Sequence, residues 1–281
     1  MKMSRIMKMV GVLLIVVIVM VVLYLLAIMP RMIKRPRFDE FKQWDYAHRG
    51  FYDNESEAPE NSMAAFKKAI ENDYGIELDV QLTKDNVLVV FHDDSLERVF
   101  GIDKLVGDMT YEELQELELF NSKEKIPKFE DVLKLVNGQV PLIIEYKIRG
   151  TNPIVCEKAE ELLANYNGMY CVESFNPLGV LWYKKNKPEI VRGILSDDYV
   201  KEGYGDYPPI AYEILHNLLL NFYIKPDFVA YDVKYTNDLS RTLCKKLYKA
   251  PAVAWTITSQ KEIEDNIDNY DIFIFEGFVP Q

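Results

Sequence analysis

The chain is poor in the residues from which most redox, zinc and nucleophile sites are built. It has three cysteines and three histidines in 281 residues. Cys156, Cys171 and Cys244 are odd in number and widely spaced, which argues against a disulfide framework and a paired-cysteine metal site. Such usage suits a cytoplasmic domain or a bacterial extracellular one without bridges. No P-loop string and no Ser-His-Asp arrangement can be read, and zinc-hydrolase ligands are wanting. Internal repeats and low-complexity linkers are missing too.

Acidic residues are absent from the first 37 positions, which carry seven basic ones. Within them, Met9–Met29 is apolar apart from Gly11 and the amphipathic Tyr24. A helix over this run would be about 31 Å long, enough for a hydrocarbon core of roughly 30 Å. A cleaved signal peptide is the alternative, but the run is long for one and no small-x-small site follows before Pro30. The expectation is a retained, single-pass membrane anchor with its span at about 9–29. Lys2, Arg5 and Lys8 precede the span and Arg31, Lys34, Arg35 and Arg37 follow it, so the positive-inside rule is nearly tied and the side of the membrane stays open. The downstream charges would lie against anionic headgroups or form a short solvated stem.

Residues 38–281 have the length of one (β/α)8 barrel, about 250 residues. With seven of the 33 basic residues removed, 26 remain against 44 acidic ones, a formal charge of −18. A domain of that charge is not expected to bind nucleic acid and is repelled by anionic membrane. Strand-like runs alternate with helical spacing, which predicts an α/β fold with a parallel sheet. Strands are expected at Tyr46–Ala47, Ile76–Leu82, Val87–Phe91, Leu142–Tyr146, Tyr170–Ser174, Ile190–Leu195, Phe228–Tyr231, Ala252–Thr256 and Ile272–Phe275. Helices are expected at Ser62–Asn72, with Asn61 or Ser62 as N-cap, and at Tyr111–Leu117, Phe129–Val136, Pro153–Asn165, Leu178–Lys185, Leu239–Tyr248 and Ile263–Ile267. Residues 196–225 read as irregular, followed by an apolar helix near Tyr212–Tyr223.

Two of the three histidines, His48 and His92, end strand-like runs, and a barrel keeps its chemistry at strand ends. Glu77 and Asp79 share one face of a strand by the period of two, while Leu78, Val80 and Leu82 share the other. In a barrel the carboxylates would point inward, a costly placement unless a cation neutralises them. On a solvent-exposed edge strand the same alternation is ordinary. Glu145 and Lys147 repeat the device, as part of the same cluster or as a surface ion pair. Three hard oxygen ligands favour Mg2+ or Ca2+ over zinc. Imidazoles near neutrality serve as general base and general acid. Arg49 supplies a planar cation suited to phosphate and Lys147 a point charge. Together these residues suit a phosphodiester with a divalent ion. His216, in the apolar 212–223 segment, reads as structural.

The strings that carry these residues resemble the glycerophosphodiester phosphodiesterases, TIM barrels related to the phosphatidylinositol phospholipase C superfamily. HRGF (48–51), APENS (58–62), ELDVQLTKDNVLVVFHDDSLER (77–98), IPKFEDVLKL (126–135), IIEYK (143–147), ESFNP (173–177) and AWT (254–256) occur in family order. The resemblance, over about residues 44–280, implies an α/β fold, a (β/α)8 TIM barrel; with the apolar run read above, the expected division is a transmembrane anchor and basic stem at 1–37 and a barrel domain at 38–281. The resemblance also implies His48 and His92 as the acid/base pair and Glu77, Asp79 and Glu145 as ligands of one divalent cation, Mg2+ or Ca2+. Arg49 and Lys147 would hold phosphate, Trp255 and Phe175 would line the pocket, and Glu60 and Asn61 would support the site. An insertion near 83–126 would carry His92. The implied reaction is hydrolysis of glycerophosphodiesters to sn-glycerol 3-phosphate and an alcohol. A lysophospholipase D activity on membrane lysophospholipids is the alternative, and an inactive tethered binding barrel a further one. The family often ends in a Thr-Asp-x-Pro string. Phe275-Glu276-Gly277-Phe278 stands there instead, which predicts an altered pocket floor.

Overall fold

The structure, a computed structural model, describes residues 2–205 and 207–281, with side chains from Met7 onward. Lys2 and Arg5, counted for membrane orientation, lie outside the described side chains. Among the described residues, nine strands form one sheet: β1 (Tyr46–Ala47), β2 (Gly75–Leu82), β3 (Leu88–Val90), β4 (Leu142–Tyr146), β5 (Tyr170–Ser174), β6 (Arg192–Ser196), β7 (Phe228–Asp232), β8 (Ala252–Ile257) and β9 (Ile272–Phe275). Eight of them are parallel. They run in the order β1-β9-β8-β7-β6-β5-β4-β2 and close through the β1–β2 pair. Closure removes both sheet edges, so the edge-strand alternative for Glu77 and Asp79 falls away.

The ninth strand, β3, is antiparallel and lies outside the ring of eight. Val80 pairs with Val90, so the chain climbs past the end of β2, turns, and comes back down. Phe91 N–H donates to the Asp79 carbonyl at 2.9 Å. His92 therefore reaches the site from a returning hairpin, not from the end of a barrel strand. The inserted segment has its own core of Val89, Phe91, Leu96, Val106, Met109, Leu114, Leu119 and Ile126. Burial of this apolar set fixes the hairpin, and the imidazole with it.

Helices cover the barrel outside, where Leu78, Val80, Ile144, Val172, Val229 and Ala254 meet them. Ser62 caps the helix Met63–Glu71, accepting from Ala65 N–H. The expected apolar helix near Tyr212–Tyr223 is two pieces, Pro209–His216 and Asn221–Ile224, with a left-handed Leu218 between them. His216 is held by the Asp197 carbonyl, Tyr231 and Asp238, in keeping with a structural part.

A second core fills the barrel interior: Tyr46, Ile143, Cys171, Leu195, Phe228, Ala230, Val253, Ile272 and Ile274, closed below by Phe38 and Phe41. The Phe38 and Phe228 rings lie 5.1 Å apart. Gly193 makes room for Phe228, since a Cβ there would come within 2.1 Å of its ring. This plug leaves only the carboxyl-terminal mouth of the barrel for a ligand.

The amino-terminal helix runs from Lys2 to Ala27, and Met7–Ala27 is long and apolar enough to cross a membrane. It projects from the barrel and docks only by its carboxyl end. Tyr248 donates to the Leu25 carbonyl at 2.7 Å and Asn221 to the Ile28 carbonyl at 3.2 Å. Two of the four basic residues after the helix are neither solvated stem nor free for headgroups. Arg31 bonds the Pro188 carbonyl and Asp227, and Arg35 bonds the carbonyls of Tyr248 and Lys249. All these partners lie just ahead of β6, β7 or β8, at the plugged end of the barrel.

Candidate active site

His48 follows β1, Glu77 and Asp79 lie on β2, Glu145 on β4, and all face the mouth. Parallel register sets Asp79 beside Glu145 and Glu145 beside Glu173. Glu77, Asp79 and Glu145 are buried, and each offers a carboxylate oxygen within 4.8 Å of the other two. Arg49 is in the left-handed region at φ 54°, and its backbone N–H is turned onto Glu77 Oε2 at 3.0 Å. Asn61, also left-handed, donates from Nδ2 to Asp79 Oδ2 at 2.8 Å.

These carboxylates are short of positive charge. Burial first, then Asp79 and Glu145, pushes Glu77 well above the usual carboxylate range, and burial also raises Glu145. Asp79 goes the other way: burial opposes ionisation, but Lys147, His92 and Arg49 hold it far below the usual range. An all-oxygen, partly uncompensated cluster fits a hard divalent ion. Lys147, the second cation expected to hold phosphate, lies against the cluster. Its ammonium spans Asp79 Oδ1 at 2.9 Å and Glu145 Oε1 at 2.6 Å, and so is committed to the cluster. Arg49 Nη1 meets Glu60 Oε1 at 2.9 Å, while its Nε has no hydrogen-bond partner.

Each site histidine is backed by a carboxylate. His48 Nδ1 lies 2.6 Å from Glu276 Oε2, which Tyr52 also reaches at 2.7 Å. His92 Nδ1 lies 2.5 Å from Asp93 Oδ1. An ionised carboxylate only accepts, so Nδ1 carries the proton in both rings and Nε2 is left free. Burial is the main cause lowering both imidazoles, and His92 is brought down to about 4. Glu276, against its burial, is held at about 2, chiefly by His48. Arg98 joins Asp93 to Glu60 and so ties the His92 hairpin to the Arg49 loop.

Sequence reasoning missed Glu276, Asp93, Arg98 and Glu173. The available signal for Glu276 was an acid at the second place of the altered terminal string. In this chain that acid supports His48. Substituting Glu276→Gln is expected to lower kcat by about tenfold to a hundredfold with little change in KM, because an amide no longer enforces the Nδ1–H tautomer. Steady-state kinetics check it, and a change confined to KM would count against this role.

The cavity above the cluster has a volume of about 100 Å³ and opens to solvent. His48, Arg49, Glu77, His92 and Glu145 line it, together with Glu173, Phe175 and Trp255. It thus gathers both imidazoles, Arg49, two members of the acidic cluster and the expected aromatic pair.

Two imidazoles over an acidic cluster at the carboxyl end of a closed parallel barrel define a (β/α)8-barrel enzyme. The profile of the "Glycerophosphoryl diester phosphodiesterase family" matches residues 48–199, more than half of the chain. A glycerophosphodiester phosphodiesterase of Bacillus altitudinis is 35% identical over 169 residues, covering 56% of this chain and 68% of that one. A human lysophospholipase D is 30% identical over 154 residues, covering 49% of this chain and 46% of that one. The solved structure of an Oleispira antarctica phosphodiesterase, in complex with the product sn-glycerol-3-phosphate, superposes with a TM-score of 0.68 at 22% identity, covering 84% of this chain and 94% of that one. The chain belongs to the glycerophosphoryl diester phosphodiesterase family and is a phosphoric diester hydrolase.

Proposed function

We propose that the protein hydrolyses glycerophosphodiesters to sn-glycerol 3-phosphate and an alcohol, with His48 and His92 as the acid/base pair and one divalent cation, Mg2+ or Ca2+, held by Glu77, Asp79 and Glu145. The observation that carries this reading is the pair of carboxylate-backed imidazoles lining one cavity with that acidic cluster. The ion would supply Lewis-acid polarisation of the phosphoryl group. Arg49 binds a phosphoryl oxygen with donors not spent on Glu60. Lys147 orients Asp79 and Glu145 and lowers their mutual repulsion. One imidazole, neutral, takes a proton from the attacking oxygen through Nε2, while the other acts as an imidazolium paired with its carboxylate and gives its Nε2 proton to the departing alkoxide. Trp255 and Phe175 line the pocket beside the reacting centre and hold substrate there.

We also propose the division into an anchor with basic stem at 1–37, spanning a membrane once, and a catalytic barrel at 38–281. The helix docks at the plugged end of the barrel, opposite the cavity, so an anchored barrel would open away from the bilayer. That arrangement favours small, water-soluble glycerophosphodiesters. A second reading, lysophospholipids as substrates, is favoured by the exposed Val200, Tyr204, Tyr207 and Ile210 in the segment after β6 at the mouth and by the name of the human relative. Side-by-side kinetics on glycerophosphocholine and lysophosphatidylcholine separate the two. The expected outcome is at least about tenfold higher kcat/KM on glycerophosphocholine, one order being about 1.4 kcal/mol of transition-state binding. The reverse preference would select the lipid reading.

A further inference from the structure

Glu173 takes no part in the chemistry proposed above. It lies on β5 beside Glu145, is only 2% exposed, and lines the cavity. Its Oε2 is buried without a hydrogen-bond partner. Burying a carboxylate in that state is costly unless a cation arrives to pair with it. The two basic side chains of the site are engaged elsewhere, Arg49 with Glu60 and Lys147 with Asp79 and Glu145.

Aromatic rings stand around this carboxylate. Phe175 is two residues along the chain from Glu173. Its ring meets Trp255 edge-on at 5.5 Å, and both line the cavity. Tyr204, from the segment after β6, lines the same cavity and packs on Tyr199 at 5.3 Å. Ring faces attract a cation through their quadrupole, and a quaternary ammonium asks for no hydrogen-bond partner.

We infer that Glu173, Phe175, Tyr204 and Trp255 form the subsite for the alcohol half of the substrate, and that it selects amino alcohols bearing a cationic nitrogen over neutral ones. The inference rests on the glycerophosphodiester reading. Its test uses the full-length protein in detergent with a divalent ion and two diesters of equal shape. One is glycerophosphocholine, and the other carries 3,3-dimethylbutanol, in which carbon replaces the charged nitrogen.

Wild type is expected to favour the cationic diester by about tenfold or more in kcat/KM. Glu173→Gln and Trp255→Leu are each expected to bring that ratio most of the way to unity. A wild-type ratio near one overturns the subsite. So does a ratio that both variants leave unchanged while their activity falls equally on both diesters. Calorimetry with tetramethylammonium reads the subsite without turnover: weaker binding to Glu173→Gln than to wild type supports it, and equal binding overturns it. Failure to hydrolyse either diester would count against the hydrolytic reading, with calorimetry still deciding the subsite.

Discussion

Alanine at His92 is expected to lower kcat/KM by about a hundredfold or more, and alanine at His48 by a similar factor. Each ring is locked by a carboxylate at Nδ1, Glu276 for His48 and Asp93 for His92. Neither therefore has freedom to serve in place of the other. Removing one leaves a proton with no relay on that side of the phosphoryl group. The roles separate by leaving group. A p-nitrophenyl diester departs without protonation, so the variant lacking the general acid recovers activity on it and the variant lacking the base does not. Single-turnover rates on the alkyl and p-nitrophenyl diesters check this. Near wild-type turnover by either alanine variant on the alkyl diester would end the two-histidine mechanism.

Removing the divalent ion is expected to abolish turnover, and restoring it to stabilise the protein in a pH-dependent way. At a hundredfold excess over Kd the ion should add about 2.7 kcal/mol, or about 5–10 °C in Tm for a protein of this size. The sign follows from the carboxylates. Glu77 and Glu145 are raised in the folded protein, by burial first. Without an ion, folding therefore favours their protonated forms, and stability rises as pH falls through the raised values. Ion binding needs both deprotonated. Its stabilising increment is thus full above those values and is lost as pH falls through them. Thermal melts with and without Mg2+ or Ca2+ over a pH series read the difference. An increment that grows toward acid would refute the assigned ligands. Asp79→Asn is expected to remove both the increment and the activity, since Asp79 also anchors Lys147 and Asn61.

Much of the site was legible because strand alternation is a strict rule. Once Ile76–Leu82 reads as a buried strand, Glu77 and Asp79 must share a face, and the same holds for Glu145 on its own strand. The Ser62 cap was equally local, a side chain bonding a backbone N–H three residues on. What stayed hidden depends on contacts between distant segments. Glu276 is 228 residues from the His48 ring it supports, and no spacing rule links them. The charge of Lys147 is visible in sequence, while its ion pairs with Asp79 and Glu145 are not. The break near Leu218 was obscured by an unbroken apolar run, Leu218-Leu219-Leu220.

By itself the sequence determined the alternation of strands and helices, the shared face of Glu77 and Asp79, the long apolar run near the amino terminus and the family strings. Each of these is a local pattern, set by backbone periodicity and side-chain chemistry within a few residues. Only the tertiary structure decided that the sheet closes, that a returning antiparallel hairpin delivers His92 to Asp79, and that Glu276 and Asp93 orient the two imidazoles. It also decided that Arg31 and Arg35 tie the amino-terminal helix to the end of the barrel away from the cavity. These depend on closure and docking, in which burial of apolar surface brings together groups that the chain keeps far apart.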